Sequence, residues 1–231
     1  MKRIKSGING FDALCEGGIP EYSVTLVSGP AGSAKSLFGM EYIYRGARNF
    51  DEPGIFIVVE ETRQNLYRAA QRYNFDFAKM EKENKIVVLD IGEIRARDDL
   101  VDFGVLHEFI ASAAAENNAK RVVVDSLSGI GIAYTSEDEL RRELFKFIRF
   151  LKESNLTSIL ISEAPEGKLT KYDFEKFLAD ALVVLNYENV KGEYRRTITI
   201  YKMRFTRHDP YKHPFIITKS GIEIDTEEVI F

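Results

Sequence analysis

Val24-Thr25-Leu26-Val27-Ser28-Gly29-Pro30-Ala31-Gly32-Ser33-Ala34-Lys35-Ser36 decides how the rest of the chain reads. A short apolar run enters a glycine-bearing turn, and residues 37–50 behind it carry a helical pattern. That is the strand, loop and helix order of a phosphate loop, whose pattern is Gly, any four residues, Gly, Lys, then Ser or Thr. Here it reads Gly29, four residues, Ala34, Lys35, Ser36. Successive backbone N–H groups in such a loop form a nest for phosphate oxygens, and the following helix N-terminus adds its dipole. Gly29, Pro30, Ala31, Gly32, Ser33, Ala34, Lys35 and Ser36 are therefore the candidate nucleotide-binding residues. Lys35 is expected to reach the β and γ phosphates of ATP, and the Ser36 hydroxyl to hold Mg²⁺. Ala34 stands where the pattern has glycine; a helical backbone there would accept its methyl without strain.

Outward from this loop, apolar runs recur at 24–27, 55–59, 86–89, 122–124, 158–161 and 181–185. They are β-branched and almost continuously apolar, as in strands buried on both faces. Between them, 37–50, 63–73, 105–118 and 136–154 are helical in pattern. Ser136 and Glu139 open the last of these with the spacing of a capping box. Strands alternating with helices predict an α/β fold with a mostly parallel central sheet and helices on both faces. Residues 196–203, 215–218 and 221–224 have no helices between them and predict antiparallel C-terminal strands at the sheet edge. We expect a single domain over 1–231.

Composition excludes several classes. With 45% hydrophobic and 29% charged residues, the chain can bury a core and is not disordered. No stretch approaches the roughly 18 unbroken apolar residues of a membrane span, and the N-terminus lacks a secretory pattern. The lone Cys15 forms no disulfide framework or zinc cluster and is expected to be a small buried residue. A cytoplasmic location is expected. The net charge of −4 argues against a whole-molecule electrostatic nucleic-acid binder.

Two carboxylate signals follow the loop. The second apolar run ends in Glu60-Glu61-Thr62, where ligands bind in open parallel sheets. One of these carboxylates could orient and activate a water for attack on the γ phosphate. In a strand they would point to opposite faces, so only one is expected to act directly. The fourth run ends Val122-Val123-Val124-Asp125-Ser126, and an Asp closing an apolar strand is the second metal-holding element of phosphate-loop ATPases. Ser162-Glu163 closes the next strand; a polar residue there could sense the γ phosphate or cap a turn.

Residues 191–213 hold seven Lys or Arg and two acids, a local +5 on a −4 chain. Lys202 and Arg204 share one face of a strand, and Arg207 and His208 follow. The ribbon reads as a charged edge strand, as cations delivered to a neighbouring subunit's ATP, or as a nucleic-acid contact.

The ordered set resembles the KaiC-like ATPases of the RecA superfamily over nearly the whole chain. Ser6-Gly7-Ile8-Asn9-Gly10-Phe11-Asp12 and Gly17-Gly18-Ile19-Pro20 are similar to that family's segment before the loop. Glu60-Glu61-Thr62 looks like its paired catalytic glutamates, and the segment from Arg121 to Ser126 like its metal-binding strand. Ala179-Asp180-Ala181, Lys202-Met203-Arg204, His208, Pro214-Phe215 and Gly221-Ile222 match its C-terminal half. The resemblance implies a RecA-like P-loop NTPase fold, ATP and Mg²⁺ binding, slow hydrolysis and assembly into a homo-oligomeric ring, often hexameric. It also implies that Lys202, Arg204 and His208 reach the γ phosphate of the adjacent subunit. The chain departs from the pattern at Ala34, at Phe205 where the family usually has glycine, and at Ala164 where Arg often follows Ser-Glu. Clock function and autophosphorylation are not carried over, because the chain holds one such unit and the clock protein two.

Three functions compete. The first is an ATPase that uses ATP to assemble and to signal to a protein partner. The second is a recombinase paralogue binding single-stranded DNA through 129–139 and 163–179. The first of these stretches carries Glu137, Asp138 and Glu139 without a cation; the second sets Glu163, Glu166, Asp173 and Glu175 against Lys168, Lys171 and Lys176. Neither is a basic, aromatic-interleaved groove, so DNA is not favoured. The third is an ATP switch without turnover.

Overall fold

The computed structural model of the chain describes residues 1–95, 101–165, 167–190 and 192–230. Glu166 and Lys191, counted above in a loop and in the basic ribbon, lie outside the described residues. β1 (Arg3–Ile4) and β2 (Ile19–Pro20) pair as a small antiparallel ribbon. β3 (Val24–Gly29), β4 (Gly54–Val58), β5 (Ile86–Asp90), β6 (Arg121–Asp125), β7 (Thr157–Glu163) and β8 (Ala181–Val190) pair in parallel. β9 (Glu193–Met203), β10 (His213–Thr218) and β11 (Gly221–Ile224) then add antiparallel. All nine of these make one sheet in the order β11-β10-β9-β8-β3-β7-β6-β4-β5. The helices are α1 (Lys35–Asn49), α2 (Arg63–Gln71), α3 (Phe77–Lys82), α4 (Ile91–Arg95), α5 (Phe103–Asn117), α6 (Leu127–Ile130), α7 (Glu137–Glu153) and α8 (Glu175–Leu178). Among the described residues, no helix is long and apolar enough to cross a membrane.

Every expected strand and helix is present. β8 and β9 run on as a polar hairpin past the apolar run, through Glu188 and Tyr194, because backbone pairing outlasts the hydrophobic pattern there. Alternation along each strand sends side chains to two cores. Val27, Phe56, Val58, Val123 and Ile161 pack with α1, α2 and α3 residues on one face. Leu26, Ile55, Ile57, Val124 and Leu160 pack with α5 and α7 on the other. A sheet covered on both faces explains the unbroken apolar runs. Ser136 caps α7 by accepting from the Glu139 N–H at 3.2 Å, while the Glu139 carboxylate returns to the Thr135 N–H, one residue before the box pattern expects. Cys15 is buried, and burial pushes its thiol up to about 12, so it is an inert core residue.

The order of the parallel strands creates the site. From β3 the chain crosses over β7 and β6 to reach β4, and β7 and β6 fill in later. That leaves a crevice beyond the carboxyl ends of β3, β7, β6 and β4, where open α/β sheets bind ligands.

One strand-opening cation locks this frame. Arg121 begins β6 and is fully buried. Its Nε donates to Glu52 Oε2 at 2.8 Å, Nη1 to the Tyr42 carbonyl at 2.9 Å and Nη2 to the Lys5 carbonyl at 2.8 Å. The guanidinium also lies 4.5 Å over the Tyr42 ring. It therefore ties α1, β6 and the N-terminal segment together. Nothing in the sequence pattern marks Arg121 as buried, because its partners are 69 to 116 residues away.

Candidate functional site

Gly29 closes β3 with φ +152°, and a Cβ there would lie 1.9 Å from the Leu185 carbonyl oxygen, so only glycine fits. Its own carbonyl accepts the Ala164 N–H at 3.0 Å. The Ser33 hydroxyl donates to the Pro30 carbonyl at 2.8 Å, which curls the loop. Lys35, 8% exposed, donates to the same carbonyl at 2.8 Å. Burial pulls its ammonium down, opposed by the nearby Glu163 and Asp125 carboxylates.

Ala34 does not meet the condition of a helical backbone: φ is 74° and ψ 25°, the left-handed region. The pattern's glycine serves this backbone, and Ala34 adopts it at the usual cost for an L residue, about 1–2 kcal/mol. Phe205, at the other departure from the family pattern, is also left-handed, with φ 58°. Both substitutions thus fall where the backbone favours glycine.

Lys35, Ser36, Glu60, Glu61, Asp125 and Glu163 line one cleft of about 430 Å³, with Ala31, Gly32, Ala34, Tyr73, Arg196 and Ile217. Burial pushes the Asp125 carboxyl up to about 6, while the nearby Ser36 hydroxyl and Lys35 ammonium pull it back. Ser126, joined to Asp125 by a cis peptide, donates its hydroxyl to Glu60 Oε2 at 3.0 Å. Glu61 accepts from Asn65 Nδ2 at 2.9 Å, and Thr62 caps α2 through the Asn65 N–H at 3.2 Å. β4 ends at Val58, so strand alternation does not reach Glu60 and Glu61, and both carboxylates border the cleft. That corrects the expectation of opposite faces. At the end of β7 the two residues divide: Glu163 lines the cleft, while Ser162 is buried and donates to Glu175 at 3.0 Å. Glu175, counted above as a loop charge, is itself buried.

Lys202, Arg204 and His208 are not among the cleft's lining residues. Lys202 pairs with Leu182 in β8 and donates Nζ to the Lys176 carbonyl at 2.7 Å. Burial and the neighbouring Arg204 push its ammonium down. Arg204 pairs with Asp180 at 3.3 Å, and Asp180 Oδ2 accepts the Val24 N–H at the start of β3. The phosphate loop leaves the other end of β3. Five residue steps at about 3.3 Å each separate the two ends by roughly 16 Å. His208 sits in the following turn, its Nδ1 3.1 Å from the Asp209 carbonyl.

Arg196, Tyr73 and Ile217 line the cleft without being singled out individually by the sequence. Arg196, one of the ribbon's cations, donates Nε to the Gly32 carbonyl at 3.1 Å and stacks 4.6 Å over Tyr187. Tyr73 follows α2 and lines the cleft, though no pattern in its own segment marks it. A cleft of about 570 Å³ lies along β9, β10 and β11, but it holds neither the loop nor Asp125.

No cluster of three or more His, Cys, Asp or Glu able to hold a metal occurs among the described residues. Ser36 and Asp125 offer a hydroxyl and a carboxylate at one end of the cleft, an oxygen pair of the kind that would suit Mg²⁺.

A family profile described as "ATPase: KaiC" matches residues 4–229. The chain is 35% identical over 229 residues to the circadian clock oscillator protein KaiC of Synechococcus elongatus, covering 97% of this chain and 44% of that protein. It is likewise 35% identical over 228 residues to the KaiC of Parathermosynechococcus lividus, covering 95% of this chain and 42% of that protein. The chain thus spans about half the length of the curated relatives it matches. Its fold superposes on the crystal structure of a KaiC-like protein from the hyperthermophilic archaeon Pyrococcus horikoshii with a TM-score of 0.88. That pair is 38% identical and covers 97% of this chain and 99% of the other. By sequence and by fold, the chain belongs to the KaiC ATPase family.

Proposed function

We propose that the chain binds ATP with Mg²⁺ and hydrolyses it slowly, at sites completed between copies of itself. The observation that carries this is the convergence of Lys35, Ser36, Asp125, Glu60 and Glu61 on one cleft, with the remaining candidate cations outside it. Backbone N–H groups of the loop and Lys35 bind the phosphates. Tyr73 and Ile217 form the apolar slot for the adenine base. Ser36 and Asp125 hold Mg²⁺, which when bound neutralises phosphate charge. Glu60 or Glu61 accepts the proton of the attacking water; Ser126 and Asn65 hold these two carboxylates in place.

Arg204 is anchored at the opening end of β3, roughly 16 Å from the loop by the strand rise, and Lys202 lies level with Leu26, its Nζ tied to the Lys176 carbonyl away from the cleft. A side chain cannot cover that distance within one subunit. The pair fits a trans role, offering charge to the γ phosphate of a neighbour, with His208 beside them. This is a head-to-tail arrangement that closes as a ring. ATP then serves to control assembly, and through it a protein partner. The test is Mg²⁺-dependent hydrolysis per protomer over a hundredfold range of protein concentration. Specific activity that rises with concentration supports the shared site. Constant activity from a species that sizes as a monomer refutes it, and absent turnover with ATP bound leaves a switch.

A further inference from the structure

We propose that Glu41, Arg45 and Asn74 form a latch on the β10–β11 turn that positions the base-binding wall of the cleft, with Glu41 its central positioning residue. The inference rests on the nucleotide reading of that cleft and adds residues none of which touches it.

Glu41 lies on the inward face of α1 and is 1% exposed. A buried carboxylate is costly unless it is bonded, and an apolar side chain would fill the place more cheaply. Its Oε2 accepts the Ile222 N–H at 2.8 Å, and its Oε1 lies 3.5 Å from Arg45 Nε. Arg45 in turn donates Nη2 to the Ser220 carbonyl at 2.7 Å. Asn74 donates Nδ2 to the Lys219 carbonyl at 3.1 Å. Lys219, Ser220 and Ile222 are thus each held by a side chain from outside the hairpin. Gly221 sits directly on the carboxylate: a Cβ there would be 2.2 Å from Glu41 Oε2, and its φ of +117° already demands glycine. Arg45 and Glu223 are the charged groups that face Glu41.

The latch reaches the cleft by two short routes. Ile217 lines the cleft and is the register partner of Ile222, whose N–H Glu41 holds. Tyr73 lines the same cleft and immediately precedes Asn74. The same helix that carries Glu41 and Arg45 opens with Lys35 and Ser36. So one helix grips phosphate at its N-terminus and, less than two turns on, grips the wall facing the base. β11 is the edge strand of the sheet, tied beyond β10 by a single backbone bridge to Asn9.

Calorimetry with Mg²⁺ tests this, comparing ATP with inorganic tripolyphosphate, which has no base. In Glu41→Ala, affinity for ATP should fall about tenfold, the effect of 1.4 kcal/mol, while tripolyphosphate changes less than about twofold. Glu41→Gln should recover most of the loss, because its amide oxygen can still accept from Ile222. Equal weakening of both ligands, or of neither, overturns the latch. Failure of the wild-type chain to bind either ligand overturns the nucleotide reading and the latch with it. If Glu41→Ala does not fold, the exposed Asn74→Ala carries the same comparison: selective loss of ATP supports the latch, and unchanged or parallel affinities refute it.

Discussion

Gly46 lies inside α1, where replacing glycine by alanine ordinarily stabilises a helix by about 0.5–1 kcal/mol. The structure predicts the opposite sign. A Cβ on Gly46 would stand 2.4 Å from Arg121 Nε, 2.5 Å from its Cδ and 2.6 Å from its Cζ. Nonbonded carbons settle at about 3.5–4.0 Å, so the guanidinium must retreat by roughly 1 Å. It has nowhere to go without loosening Glu52, the Tyr42 carbonyl or the Lys5 carbonyl. Overpacking costs about 1–3 kcal/mol, and a hydrogen bond to a charged group adds about 1.5–3 kcal/mol when lost. After the helix gain is subtracted, Gly46→Ala should destabilise by about 1.5–5.5 kcal/mol. At roughly 2–4 °C per kcal/mol for a chain of this size, Tm falls on the order of 10 °C. Urea unfolding and calorimetry of wild type and Gly46→Ala measure this. In an Arg121→Met background the added methyl should cost less, since the flexible thioether can move aside. A Gly46→Ala chain as stable as wild type, or more so, would refute the reasoning.

Three further outcomes are expected. Glu60→Gln with Glu61→Gln should keep ATP affinity and lower turnover by roughly 10²–10⁴, the usual range for a lost general base; unchanged turnover in a single-cycle assay would place water activation elsewhere. Lys35→Ala should abolish nucleotide binding, since the loop loses its phosphate-facing charge; an isotherm matching wild type would remove the loop from the site. Burial pushes Glu41 up to about 7 from an ordinary 4.5, against the pull of Arg45 and the Ile222 N–H and with a push from Glu223. The folded chain therefore holds a proton that the unfolded chain releases, so stability is greatest below about pH 4.5 and falls as pH rises to about 7, by roughly 3 kcal/mol from this group. Asp125, raised to about 6, adds the same sign, so the measurement is the difference between wild type and Glu41→Gln across that window. Parallel stability curves for the two would show that Glu41 does not titrate there.

Much of the architecture is legible because burial on both faces writes itself as unbroken apolar runs, and those of β3, β4, β6 and β7 lead to the cleft. Glu60, Glu61 and Asp125 can be found at or just past strand ends for that reason, Lys35 and Ser36 by the loop pattern, and the cleft brings them together. What the sequence hides depends on contacts distant along the chain. Arg121 reads as an ordinary strand-opening cation, and its buried network involves Lys5, Tyr42 and Glu52. Glu41 lies in a stretch read only as helical, and only the folded hairpin brings Ile222 to it. Arg196 is one of several ribbon cations until β9 lays it against Gly32. Glu60 and Glu61 escape the expected alternation because β4 stops at Val58, and strand periodicity carries no marker of where it ends. The backbone at Ala34 is hidden for a related reason: a single substituted glycine does not reveal its φ.

The central claim is that the site is shared between subunits, and mixing two damaged chains tests it most directly. Lys35→Ala destroys the loop but leaves Lys202 and Arg204 intact; Arg204→Ala does the reverse. Each alone should hydrolyse little ATP. Mixed in equal amounts and allowed to exchange, about one quarter of head-to-tail interfaces would join an intact loop to an intact Arg204, and activity should recover to about that fraction of wild type. No recovery from chains that sizing shows to have co-assembled would contradict the account, as would full activity of Arg204→Ala on its own.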